Sequence, residues 1–152
     1  MKIPFRYKGA HSCDAVVLCC IDFRFWRETM QFVENFQEGL GIPHYDFPKL
    51  PGAAKAINDC VNIDSDLAIQ CVNVPCYLHH AKRIIIVNHQ DCGAYGGSQK
   101  FNGDEAVEQK FHEEELKKAK AKLSVKYPDK EIVLVYARLV DNQENIEFMI
   151  VK

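Results

Sequence analysis

The stretch Ala15-Val16-Val17-Leu18-Cys19-Cys20-Ile21-Asp22-Phe23-Arg24 decides the fold. Its first six residues form a short continuous apolar run, the pattern of a central parallel strand buried on both faces. Side chains alternate along a strand, so its continuation sends Cys20, Asp22 and Arg24 to one side and Ile21 and Phe23 to the other. A thiol, a carboxylate and a permanent cation then gather where a buried strand leaves the core. That trio suits chemistry better than packing.

Before this stretch, residues 1–14 are polar and mixed, with Gly9 and Ser12 marking a loop. After it, Phe25, Trp26, Met30, Phe32, Val33 and Phe36 recur at near-helical spacing. They predict a helix over 25–36, stopped by Gly39 and Gly41. His44-Tyr45-Asp46-Phe47 predicts a short second strand, fenced by Pro43 and Pro48 and therefore near an edge. Lys49-Leu50-Pro51-Gly52 reads as a turn. Residues 53–81 predict helix in two pieces, split near 62–66, with Pro75 kinking or breaking the second.

Residues 83–88, Arg-Ile-Ile-Ile-Val-Asn, are β-branched almost throughout and give the clearest strand. It runs out into the glycine-rich loop His89-Gln90-Asp91-Cys92-Gly93-Ala94-Tyr95-Gly96-Gly97. Residues 104–126 predict a charged amphipathic helix, with Asp104 as N-cap and Pro128 past its end. Its lysines at 117–122 read as a solvated face. Residues 131–137 form another buried-type strand. Residues 146–151 follow the turn Asp141-Asn142-Gln143 as an antiparallel return. The alternation predicts an α/β fold: a mostly parallel sheet in the order 2-1-3-4, an antiparallel last strand, and flanking helices.

The 152 residues suit a single domain spanning 1–152. At 47% hydrophobic and 26% charged, the chain is too apolar for disorder. A net charge of -2 carries no electrostatic footprint for nucleic acid or an anionic membrane, so neither is expected as a partner. Apolar runs fall short of a membrane span and the start lacks a signal-peptide core, so the expected location is cytoplasmic. Seven cysteines, an odd count without a secretory signal, argue for free thiols, some on a metal. Cys60, Cys71 and Cys76 lack any C-x-x-C spacing and read as core packing. Cys13 stays open between a loop thiol and packing.

Ligand sites of open α/β sheets lie beyond the carboxyl ends of the strands, where strand order reverses. In the order 2-1-3-4 that point falls between strands 1 and 3. Cys20, Asp22 and Arg24 then meet His89 and Cys92. Two thiolates and an imidazole are preferred zinc ligands, and three protein ligands with one exchangeable position make a catalytic type of site. His-x-x-Cys in a turn lets both side chains reach one ion, with Gly93 expected to let the backbone bend around it.

Asp22 has two available jobs. It either fills the fourth zinc position or pairs with Arg24, whose fork holds it ionised, and leaves that position to water. Zinc lowers the pKa of bound water to about 7, giving a hydroxide nucleophile at neutral pH. Asp22 is then placed to accept a hydrogen bond from it. A structural Asp22–Arg24 pair is the plainer alternative. A thiol redox protein is another, with reactive Cys20 and Cys92 and no stoichiometric metal.

Cys-x-Asp-x-Arg after the first strand, with His-x-x-Cys-Gly after the third, resembles the β-class carbonic anhydrases. The resemblance implies Cys20, His89 and Cys92 as zinc ligands and Asp22 and Arg24 as a catalytic dyad, with Asp22 ligating zinc in some resting forms. It implies reversible hydration of CO2 to bicarbonate by a homodimer or higher homo-oligomer. Hydrolysis of a CO2-like molecule such as COS or CS2, and a catalytically silent zinc-binding regulatory protein, are the alternatives.

The chain departs from the family pattern at Lys49-Leu50-Pro51-Gly52, which keeps only the glycine, and at Ser12-Cys13-Asp14. It is also expected to lack the long N-terminal helical arm. Phe23 and Phe25 are candidates for an apolar CO2 pocket or for the core, and His11 or His44 for a proton shuttle. Surface or capping roles are expected of His79, His80 and His112. Gly93–97 fits no phosphate-cradling loop.

Overall fold

The computed structural model describes residues 2–4, 6–7 and 9–152. β1 (Ala15–Cys19), β2 (Tyr45–Asp46), β3 (Arg83–His89) and β4 (Glu131–Val140) run parallel to one another. β5 (Asn145–Val151) returns antiparallel along β4, through a turn in which Asp141, Asn142 and Gln143 all take positive φ. The order is β2-β1-β3-β4-β5, so the expected arrangement and its antiparallel return are both observed. β4 runs on to Val140 instead of stopping at Ala137, because β5 offers it a ladder out to Asn145.

Helices cover both faces, which is why the central strands read as unbroken apolar runs. β1 is buried along its whole length. Val16 and Leu18 share one apolar layer with Ile84, Ile86 and Leu134. α2 (Ala54–Asn58), α3 (Leu67–Tyr77) and α4 (Glu105–Lys126) pack on that side. Val17, Cys19, Ile85, Val87 and Val135 point the other way, towards α1 (Trp26–Glu34).

Local chemistry sets the helix ends. α4 starts where the Asp104 carboxylate accepts the Val107 N–H at 3.0 Å, and it buries Glu108, His112, Leu116, Ala119 and Leu123 at helical spacing. α1 is shorter than expected. Asn35 leaves helical geometry, and its side chain accepts the Gln37 and Glu38 amides. The break before α3 forms where Asp66 accepts the Val61 and Asn62 amides, an alternative to helix that aspartate offers. Pro75 sits in the last turn of α3, where its missing N–H forgoes the bond back to residue 71, yet the helix runs on past it to Tyr77 rather than breaking there. Among the described residues, no helix is long and apolar enough to cross a membrane.

At the carboxyl ends of the strands, β1 and β3 leave the sheet side by side, with Cys19 opposite Val87. The segment 48–52 runs along the same edge, bridged to β1 through the Leu50 N–H, which donates to the Cys19 carbonyl at 2.9 Å.

Candidate metal centre

β1 stops at Cys19, so strand alternation does not arrange the residues that follow. Asp22 turns the chain instead. Its carbonyl accepts the Phe25 N–H at 3.3 Å and its Oδ1 accepts the Arg24 N–H at 3.0 Å. As a result Cys20, Asp22 and Arg24 border a cleft of about 560 Å³ together with Pro51, Gly93 and Ala94. Ile21 and Phe23 border the same cleft, exposed at its rim rather than turned to the opposite face. Phe25 is buried and separate from Phe23, so the two do not form one apolar pocket.

Three donors converge at the base of the cleft. The donor atoms of Cys20, His89 and Cys92 all lie within 4.8 Å of one another, and all three residues are buried. The two sulfurs are 3.9 Å apart. That is far beyond a disulfide bond, and close to the roughly 3.8 Å that two zinc–thiolate bonds of about 2.3 Å subtend at a tetrahedral angle. His89 closes β3, stacks on the Phe25 ring at 4.1 Å, and directs Nδ1 at the Gln90 carbonyl at 2.7 Å. Donation from Nδ1 leaves Nε2 as a lone pair. Nε2 is buried without a hydrogen-bond partner. An orphaned buried acceptor costs about 1–3 kcal/mol, which a bond to a cation removes. The residues present fit zinc.

The thiols divide one proton unequally. Cys20 is pushed down, first by the Cys92 thiol and further by His89 and the Gly52 amide, which sits 3.4 Å from its sulfur. Cys92 is pushed well up by the same contact and by burial. A divalent cation would stabilise both as thiolates.

Asp22 stands beside the three donors, with Oδ2 4.0 Å from His89 Nε2. Arg24 grips it bidentately, Nε to Oδ1 at 3.0 Å and Nη2 to Oδ2 at 2.7 Å, and holds its carboxyl below the usual range. The other edge of the guanidinium reaches Asp91, with Nη1 on Oδ2 at 2.9 Å and Nη2 on the carbonyl at 3.1 Å. No sequence motif singles out Asp91. It sits inside His-x-x-Cys in the left-handed region (φ 54°), and its Oδ1 accepts the Ser98 amide at 3.0 Å. Its own amide donates to buried Glu108 at 2.7 Å, and Ser98 Oγ donates to the same carboxylate at 2.6 Å. One arginine between two acidic strand exits was the available signal.

Several other expectations change. Gly93 lies outside the left-handed region, and a Cβ there would meet nothing within 4 Å. The bend belongs to Asp91, Gly96 and Gly97, while Gly93 keeps one cleft wall bare. Gly52 is the glycine the site requires. Its φ is 71°, and a Cβ would lie 2.9 Å from that of Lys55 and 3.1 Å from that of Ala94. His112, expected at the surface, is fully buried between Asn88 and Tyr136, and burial pushes it down to about 4. His11 and His44 line a different cavity with Cys13, Asp46 and His79, so neither borders the cleft. Cys60 and Cys76 lie in the core as expected, with Cys71 half-buried.

A family model described as "putative carbonic anhydrase" matches residues 10–150. The chain belongs to this family, and its fold is that of β-class carbonic anhydrases. It is 29% identical over 126 residues to an uncharacterized protein of Rickettsia conorii, covering 80% of this chain and 65% of that one. It is 28% identical over 128 residues to an uncharacterized protein of Rickettsia bellii, covering 80% and 74%. The chain thus spans about two thirds of the length of the first. The fold resembles a carbonic anhydrase from Glaciozyma antarctica with TM-score 0.58, 14% identity and 95% and 85% coverage. It also resembles one from Streptococcus mutans with TM-score 0.59, 16% identity and 94% and 84% coverage.

Proposed function

We propose that the protein is a zinc enzyme hydrating CO2 reversibly to bicarbonate and a proton. Cys20, His89 and Cys92 would hold the metal, and Asp22 and Arg24 would form the catalytic pair. The observation that carries this reading is His89 Nε2, buried, unpartnered, and grouped with two thiols 3.9 Å apart. Bound zinc supplies Lewis acidity, bringing the deprotonation of water into the neutral range.

The chain's own residues do the rest. Arg24 keeps Asp22 ionised and fixes its plane through two hydrogen bonds. Asp22 Oδ2, the oxygen nearest His89, accepts the hydrogen bond of the attacking water and aims its lone pair. Phe25 holds the His89 ring in place and keeps that side dry. Ile21, Phe23, Pro51 and Ala94 offer an apolar entrance to a small uncharged substrate.

Zinc analysis followed by stopped-flow CO2 hydration tests the reading. Stoichiometric zinc with rates well above background between pH 7 and 9 is expected, and background rates with zinc bound would overturn it. The apolar entrance favours a second reading, hydrolysis of COS or CS2, for which sulfide release by the same zinc-loaded protein is the measurement. Zinc bound with neither activity would leave the silent regulatory protein. The reading includes a homodimer in the cytoplasm, supported by exposed Ile21 and Phe23 beside the cleft and by seven free cysteines. Sedimentation gives the oligomer directly.

A further inference from the structure

We propose a second metal site at the opposite end of the sheet, made by Cys13, Asp46 and His79 and suited to a zinc-type divalent cation. The donor atoms of these three residues lie within 4.8 Å of one another. Cys13 Sγ is 3.6 Å from Asp46 Oδ2, and His79 Nδ1 is 2.6 Å from the same oxygen. A tetrahedral ion with ligands at about 2.0–2.3 Å needs donors roughly 3.3–3.6 Å apart. The sulfur–oxygen pair already has that spacing, and the imidazole and carboxylate need only part slightly.

The donors come from three chain segments at the end of the sheet where β1 and β3 begin. Cys13 leads into β1, Asp46 lies on β2, and His79 precedes β3. Backbone bonds lock these segments together. The Cys13 N–H donates to the His79 carbonyl at 2.9 Å and the Asp14 N–H to the His44 carbonyl at 2.8 Å. The donors are therefore held in place before any ion arrives, which lowers the ordering cost of binding. A thiolate, a carboxylate and a neutral imidazole sum to two negative charges, matching one divalent cation. His11 lines the adjoining cavity of about 440 Å³, with its ring edge-on to that of His79 at 5.6 Å.

Without an ion, the Cys13 thiol donates to the Asp46 carboxylate. Binding replaces the thiol proton, released to solvent, with a metal–sulfur bond. The His79 imidazole shifts from the tautomer that donates Nδ1–H to Asp46 to the one protonated at Nε2, freeing the Nδ1 lone pair for the ion. β2 pairs with β1 over only two residues. A metal held by both segments and by the approach to β3 would clamp this short edge strand. The cluster lies about 20 Å from Cys20, judged by the rise of the intervening strand, so the two sites load independently.

The test is a zinc count on the full chain after dialysis against zinc-free buffer. Two equivalents are expected for the wild type. One is expected for Cys13→Ser with His79→Gln, with CO2 hydration unchanged, and one for Cys20→Ser with Cys92→Ser. A Cys13→Ser, His79→Gln protein holding as much zinc as the wild type overturns the proposal, whereas a wild type that loses nothing on Cys20→Ser with Cys92→Ser overturns only the metal centre of the proposed function. Alkylation of the wild type answers without any variant. Zinc is expected to protect Cys13 from iodoacetamide and a chelator to expose it, and equal labelling in both conditions overturns the proposal.

Discussion

Arg24 Nη1 meets Asp91 Oδ2 at 2.9 Å, and this contact ties the exit of β1 to the exit of β3. Asp22 takes the opposite edge of the same guanidinium, so the orientation of Arg24 depends on a residue outside the catalytic pair. Replacing Asp91 with Ala is expected to lower kcat/KM about tenfold, as loss of an orienting partner does. Zinc content should stay unchanged, and parallel metal and rate measurements separate the two effects.

Asp22→Asn should cost more, about a hundredfold in kcat, because the amide replaces one accepting oxygen with an NH2 donor. The three metal donors are untouched, so zinc should remain stoichiometric. Loss of zinc along with rate would assign Asp22 to the metal instead.

Phe25→Ala removes a buried ring stacked on His89. A loss of about 3–5 kcal/mol in urea unfolding is expected from the cavity alone. With the imidazole freed to rotate, zinc affinity measured against a competing chelator should also fall.

Two glycines by the cleft should answer differently to the same change. Gly52→Ala forces a methyl group against Lys55 and Ala94 at a positive φ, at a cost of about 2 kcal/mol. Gly93→Ala meets open space, so stability should hold while the narrowed wall raises KM for CO2. Thermal melts and saturation curves on both variants make the comparison.

His112 predicts a pH dependence of stability. Burial lowers its folded pKa from 6.5 to about 4, so between those values the unfolded chain binds a proton that the folded chain refuses. Stability is therefore fully present above pH 6.5 and lost as pH falls towards 4, by about 3 kcal/mol. Urea titrations at pH 7 and 5 should show the decline, and His112→Phe should flatten it.

The strand order and the meeting of Cys20, His89 and Cys92 were legible because each rests on local signals. β-branched runs mark buried strands, and polar residues clustered at two strand exits mark the crevice between them. Asp91 and Glu108 were not legible, since their roles depend on which loop the Arg24 guanidinium and the Ser98 hydroxyl reach. His112 was misjudged because a histidine among lysines and glutamates reads as solvated until α4 is docked on the sheet. Gly93 and Gly52 look alike in sequence, and only φ and the neighbouring atoms tell them apart. The grouping of Cys13, Asp46 and His79 needs the parallel register of three strands, which no single segment encodes.

β1 ends at Cys19, and the residue just past it is a second cysteine with the opposite fate. Cys19 points into the apolar layer against α1, where burial pushes its thiol up to about 12, while Cys20 faces the cleft. A one-residue slip of β1 during folding would put Cys19 in the place of Cys20 and Ile21 in the place of Asp22. A mispaired chain of that kind would still offer sulfur to a metal while lacking the carboxylate. Metal content is therefore a weaker certificate of correct assembly in this protein than turnover, because the sequence forgives a register error at one position and punishes it two residues later.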